Sequence, residues 1–151
     1  MKTSFGGTLR PHILLRAASI LALLHALLNT FAGLLSGTSD NRAEVAVLNA
    51  MKALRFDAMG SSRTYWDFYF GFGLFLTVSM ALISALLWQL ASLAKTESAI
   101  ARPLVGSLCA AFIAFAILSG LYFFIAPLVL EVFIAIILGL AFAELPRGQS
   151  Q

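Results

Sequence analysis

Charge is scarce in this chain: Asp, Glu, Lys and Arg make up 11% of its 151 residues, against roughly 25% in an ordinary soluble domain. With 60% hydrophobic residues and a mean hydropathy of +0.92, that shortage excludes a water-soluble monomer. Disorder is excluded too, because 13 Phe and long Leu/Ile/Ala runs collapse rather than stay solvated. Cysteine is reduced to Cys109, so an internal disulfide, a C-x-x-C redox pair and a thiolate zinc site are all ruled out; Cys109 reads as a small buried apolar residue. No phosphate loop, dinucleotide fingerprint or Ser-His-acid arrangement is present. Outside the apolar runs there is no basic stripe interleaved with aromatics, so nucleic acid is not an expected partner.

What the chain does have is four apolar runs, each long enough for about 20 residues of transmembrane helix. They cover approximately 13–37, 65–93, 103–125 and 127–145. The first exceeds the apolar region of a signal peptide and lacks an Ala-x-Ala cleavage site, so it reads as a span. Pro103 suits the first turn of the third helix. Ala126-Pro127 separates the third and fourth runs, which must then form a tight antiparallel hairpin. The expected fold is therefore all-α: a single integral domain over 1–151, with four transmembrane helices in up-down order. Membrane lipids are its expected surroundings.

Lys and Arg placement sets the orientation. With the amino terminus inside, Lys2, Arg10, Arg16, Lys95, Arg102 and Arg147 are cytoplasmic. Arg42, Lys52, Arg55 and Arg63 lie outside, beside Asp40, Glu44, Asp57 and Asp67. The six-to-four bias puts both termini in the cytoplasm. The net charge of +3 then reads as an inner-face anchor to anionic lipid. Between the first two spans, Asn41 and Glu44 resemble a capping box. Val47, Leu48, Met51, Leu54 and Ala58 recur at helical spacing, and Gly60 is placed to end that helix. A short amphipathic surface helix over 41–60 is expected.

Ionisable groups inside an apolar span are expensive, so their positions are informative. His25 and Asn29 share one face of the first span. Asp67 and Tyr69 open the second, Ser119 and Tyr122 approach the end of the third, and Glu131 lies one turn inside the fourth. All four helices thus place polar groups at one level in the outer leaflet, while the inner halves stay apolar. Arg16 snorkels to the cytoplasmic surface, and Trp88 is an interfacial aromatic. A proton or ion channel is disfavoured, because its polar path would stop halfway.

Two readings of the layer stay open. In one, the groups hydrogen-bond to each other and hold the bundle together. In the other they line an outer-leaflet pocket for a lipophilic small molecule. Burial disfavours the charged form of a carboxylic acid, which leaves it able to donate a proton, and histidine titrates near neutrality. Glu131 and Asp67 are then the candidate acids and His25 the candidate base of an isomerase or cyclase. Asn29, Tyr69, Tyr122 and Trp66 would bind and orient the ligand. No cofactor is called for. A metal held by His25, Asp67 and Glu131 is not expected, because no His-x3-His or Glu-x-x-His spacing supports it. Haem on His25 lacks a second axial histidine, since His12 lies outside the span. The competing class is a non-catalytic accessory or assembly subunit of a larger membrane complex, docked through small-residue faces such as Gly73, Thr77, Ala81 and Ser84.

The densest local signature is Arg55-Phe56, Gly60, Arg63 and Trp66-Asp67-Phe68-Tyr69-x-Gly71-Phe72-Gly73, with His25 in the first helix. It resembles a group of small four-helix bacterial membrane proteins. The resemblance covers most of the chain and implies a four-helix fold in the bacterial inner membrane. The layout, with His and carboxylates at one level of four helices, is also loosely similar to emopamil-binding-type sterol isomerases. No motif of that family matches residue by residue, so none of its catalytic residues is carried over.

Overall fold

The computed structural model describes residues 10–35 and 40–146. Lys2, Arg147, the Gly37 end of the first run and the Pro146-Arg147-Gly148 stop beyond Pro146 lie outside the described residues. Within them the chain forms α1 (Pro11–Leu28), a π-helical turn (Asn29–Leu34), α2 (Arg42–Ala53), a hairpin of β1 (Arg55–Ala58) and β2 (Ser61–Thr64), then α3 (Tyr65–Thr96), α4 (Ser98–Tyr122) and α5 (Ile125–Glu144). Four of the helices are long and apolar enough to cross a membrane: Pro11–Ala32, Tyr65–Thr96, Ser98–Tyr122 and Ile125–Glu144.

The residues sort into two compact units. One runs up to His25 and resumes at Ala81; the other is Ala26–Met80. In the first unit, α1 buries Leu15, Ala18, Ser19, Ala22 and His25, a stripe at helical spacing. Ser19 and Ser84 lock α1 to α3. The Ser19 hydroxyl donates to the Ser84 carbonyl at 2.8 Å and the Ser84 hydroxyl to the Ser19 carbonyl at 2.9 Å. Small residues let the two backbones approach closely enough for this exchange.

A single residue, Glu97, separates α3 from α4: its N–H still caps α3 by donating to Leu93, and its carbonyl accepts from Ile100 and Ala101 as α4 begins. The third apolar helix therefore starts at Ser98, five residues before the expected Pro103, which sits inside it. This proline lies beyond the first turn, so its missing N–H leaves the Ala99 carbonyl without the usual i−4 donor. The next break falls at Phe123 and Phe124, and α5 begins at Ile125. Pro127 thus lies within its first turn, where a missing N–H leaves nothing unpaired.

The α4–α5 pair buries Ala101, Val105, Phe112, Ala116 and Ser119 on one helix and Glu131, Ile134, Leu138 and Ala141 on the other. Its register is visible at three heights. Arg102 donates to the Leu145 carbonyl at 3.2 Å, with its guanidinium 3.9 Å from the Phe142 ring centre. Cys109 donates to the Ala135 carbonyl at 3.4 Å, and Ser119 is a hydrogen-bonding neighbour of the Glu131 carboxyl.

The second unit contains the expected short helix between the first two long ones but ends it earlier than the expected 41–60. Asn41 does cap α2, accepting from the Ala43 N–H at 3.0 Å, but the helix stops at Ala53. Residues 55–64 form an antiparallel hairpin with Arg55 opposite Thr64 and Ala58 opposite Ser61. Its two-residue turn puts Met59 at φ 54° and Gly60 at φ 85°. Positive φ at both central positions matches the right-handed twist of paired strands, and Asp57 fastens the turn by accepting from the Gly60 N–H at 2.9 Å. Ala58 therefore belongs to a strand, and Gly60 turns a hairpin rather than ending a helix.

Candidate functional site

Among the described residues of the first unit, His25 and Glu131 are the two ionisable side chains that the fold buries, at 3% and 4% exposure. His25 ends the buried stripe of α1, where the 3.6-residue period continues from Leu15 through Ala18 and Ala22. Glu131 opens the buried stripe of α5, followed at helical spacing by Ile134, Leu138 and Ala141. Their heights can be compared through the helix rise of ~1.5 Å per residue. Ser19 is level with Ser84, so His25 lies about 27 Å from the α3–α4 junction, and Ser119, beside Glu131, about 32 Å from it. Counted along the helices, the two groups thus lie at similar distances from that junction.

Both are incompletely satisfied. The Nδ1 of His25 and the Oε2 of Glu131 are buried without a hydrogen-bond partner. Buried polar groups are paired in the large majority of cases; among the described residues the Nε of Arg16 is the one further exception, and other polar groups on the helices are paired. Asn29 uses both N–H bonds of its amide, donating to the Gly73 carbonyl at 2.8 Å and to the Thr77 hydroxyl at 2.9 Å. Thr30 donates to the Ala26 carbonyl and meets the Thr77 hydroxyl, each at 2.9 Å. Ser19 and Ser84 satisfy each other.

Asn29 thus has a structural role, since with Thr30 it ties the π-helical turn to α3 inside the second unit. The turn itself is closed by the Leu35 N–H donating to the Thr30 carbonyl at 3.0 Å, the wider i to i−5 pattern. Asp67 is likewise engaged in a reciprocal cap. Its carboxylate accepts from the Thr64 N–H at 2.8 Å, and its own N–H donates to the Thr64 hydroxyl at 3.1 Å. That is a capping box at the start of α3. Trp66 lies under the Lys52 ammonium, 4.6 Å from the ring centre, with the Tyr69 ring 5.5 Å away. Tyr69 is 51% exposed, and Tyr122, the last residue of α4, one turn beyond buried Ser119, is 76% exposed.

Of the sequence-derived set, then, His25 and Glu131 share one unit and are buried; Tyr122 is in that unit but turned outward. Asn29, Trp66, Asp67 and Tyr69 belong to the other unit, where Asn29 and Asp67 each hold a helix in place. Ser119 gains weight as the neighbour of Glu131, a position signalled by its being a hydroxyl residue in an otherwise apolar run. Among the described residues, no group of three or more His, Cys, Asp or Glu comes together to hold a metal ion.

The chemistry open to such a pair is proton transfer in an apolar setting: a carboxyl group to donate, an imidazole nitrogen to accept, and a hydroxyl to orient the carboxyl. No known protein family, curated protein or solved structure matches this chain.

Proposed function

We propose that the chain is a multi-pass protein of the bacterial inner membrane, with its four long helices crossing the bilayer and both termini cytoplasmic. His25 and Glu131 form the acid–base pair of a pocket that takes a lipophilic small molecule from the outer leaflet. One observation carries this reading. Among the described residues these two ionisable side chains are at most 4% exposed and each keeps a buried atom without a partner, while the buried Ser19 and Ser84 hydroxyls are paired. A leftover donor or acceptor costs about 1–3 kcal/mol. A pair retained only to hold helices together would be expected to close its hydrogen bonds, as Ser19 and Ser84 do.

Isomerisation or cyclisation fits this equipment. Glu131 gives a proton to one carbon of a double bond, and His25 removes a proton from a neighbouring carbon. The double bond moves, the substrate gains and loses one proton, and transfer from His25 back to Glu131 resets the pair. Nothing is oxidised or reduced, so the chemistry needs no redox cofactor. In this reading Asp67 and Asn29 support the scaffold.

The test is a comparison of molecules that copurify with the protein. The parent, Glu131→Gln and His25→Leu are extracted from membranes in mild detergent, and bound lipophiles are identified by mass spectrometry. We expect one compound class enriched over bulk lipid in the parent and reduced at least about tenfold in both variants, a loss of ~1.4 kcal/mol. Equal recovery from all three, with insertion intact, overturns the proposal.

A further inference from the structure

A second set of polar groups in the first unit also lacks a counterpart. Together with the Arg16–Trp88 contact, the Ser19–Ser84 exchange runs α1 antiparallel to α3. Moving away from it, backward along α1 and forward along α3, Arg16 and Trp88 meet first, with the guanidinium carbon 4.9 Å from the indole centre. One to two turns farther in the same direction come His12 and Arg10 on one side and Lys95 on the other. His12 feels three neighbouring charges, those of Lys95, Arg10 and Arg16, and all are positive. The Nε of Arg16 is buried and donates to nothing.

Like charges gathered at one end of a helix pair repel, and a guanidinium N–H facing no acceptor adds to the cost. Phosphate oxygens relieve both: they carry the missing charge and accept in the planar geometry that arginine offers. The surroundings identify the source of the phosphate. Arg16 emerges from an apolar helix against a tryptophan, the side chain that marks the level where acyl chains give way to headgroups. A headgroup with a quaternary ammonium would bring a fourth positive charge beside those of Arg10, Arg16 and Lys95, whereas a glycerol headgroup would not.

We infer that Arg10, His12, Arg16 and Lys95 form a docking site for the headgroup phosphate of an anionic phospholipid. The inference rests on the membrane reading above but not on the acid–base pair.

Trp88 is the built-in reporter. With Trp66→Phe as background it is the sole tryptophan. The full chain is placed in phosphatidylcholine vesicles containing equal small fractions of a brominated phosphatidylglycerol or a brominated phosphatidylcholine, and quenching of Trp88 is compared. The glycerol lipid is expected to show an apparent affinity about fivefold or more above the choline lipid, as one basic side chain near a charged surface already provides. Arg16→Gln combined with Lys95→Gln brings the ratio to about one, and Arg16→Lys alone keeps most of it. A ratio of one in the parent, or a preference that survives the double substitution, overturns the inference. Millimolar inorganic phosphate is expected to leave the ratio unchanged; its collapse would assign the site to free phosphate and overturn the lipid assignment. Flotation of the same vesicles after an alkaline wash reports insertion separately, so protein left in the wash refutes the membrane reading itself.

Discussion

Replacing Glu131 with methionine should make the protein more stable and end its function. Methionine has the unbranched shape of glutamate and suits an irregular interior site, so the substitution removes the carboxyl oxygens with little change in packing. The buried Oε2 has no partner, and relieving such a group recovers about 1–3 kcal/mol. Against this stands the loss of the contact with Ser119, at about 0.6 kcal/mol for a hydrogen bond between membrane helices. The freed hydroxyl can turn to the carbonyl one turn back on α4. The net expectation is a gain of about 0.5–2.5 kcal/mol. Reversible unfolding in mixed micelles of a mild detergent and dodecyl sulfate measures it, with copurified lipophiles followed in parallel. A loss of more than about 1 kcal/mol would show that the carboxyl group holds the fold together, and the case for a functional residue would fail.

The serine exchange gives a further expectation. Ser19→Ala removes one donor but leaves the Ser84 hydroxyl on the Ser19 carbonyl, so each single substitution should cost about 0.6 kcal/mol and the pair roughly twice that. A double-mutant cycle checks this, and the 3.1 Å contact between the hydroxyls predicts a small favourable coupling. Gly73→Ala should be more damaging, because its new methyl would run into the Leu34 side chain in the second unit. A cost of about 1–3 kcal/mol is expected, and Gly71→Ala, where the same atom meets nothing within 4 Å, is the matched control for the same unfolding measurement.

The long helices were legible because hydropathy over about 20 residues is a collective signal that single residues cannot hide. Their ends were less so. Pro103 reads as a helix start, yet the true break is at Glu97, where one residue separates the two helices; in a sequence, a one-residue connection leaves almost no trace. The hairpin was missed for a different reason. Leu54 and Ala58 extend the helical spacing of α2, and the turn places Met59, a residue with no preference for positive φ, beside Gly60. The π-helical turn depends on contacts of Asn29 and Thr30 with residues more than 40 positions away, which no local pattern reveals. For the site, the expense of ionisable groups in apolar segments singled out His25 and Glu131, and both are buried. Asp67, at a helix start, is accounted for by its cap with Thr64, while Tyr69, in the second turn of α3, and Tyr122, at the last position of α4, are exposed.

The solitary Glu97 between two helices of such length has a bearing on biosynthesis. If the long helices cross a bilayer as proposed, a joint without slack would tie the entry of α3 to that of α4, and a translocating machinery would receive the two together. Lengthening the joint by a flexible stretch would be the direct way to uncouple their entry.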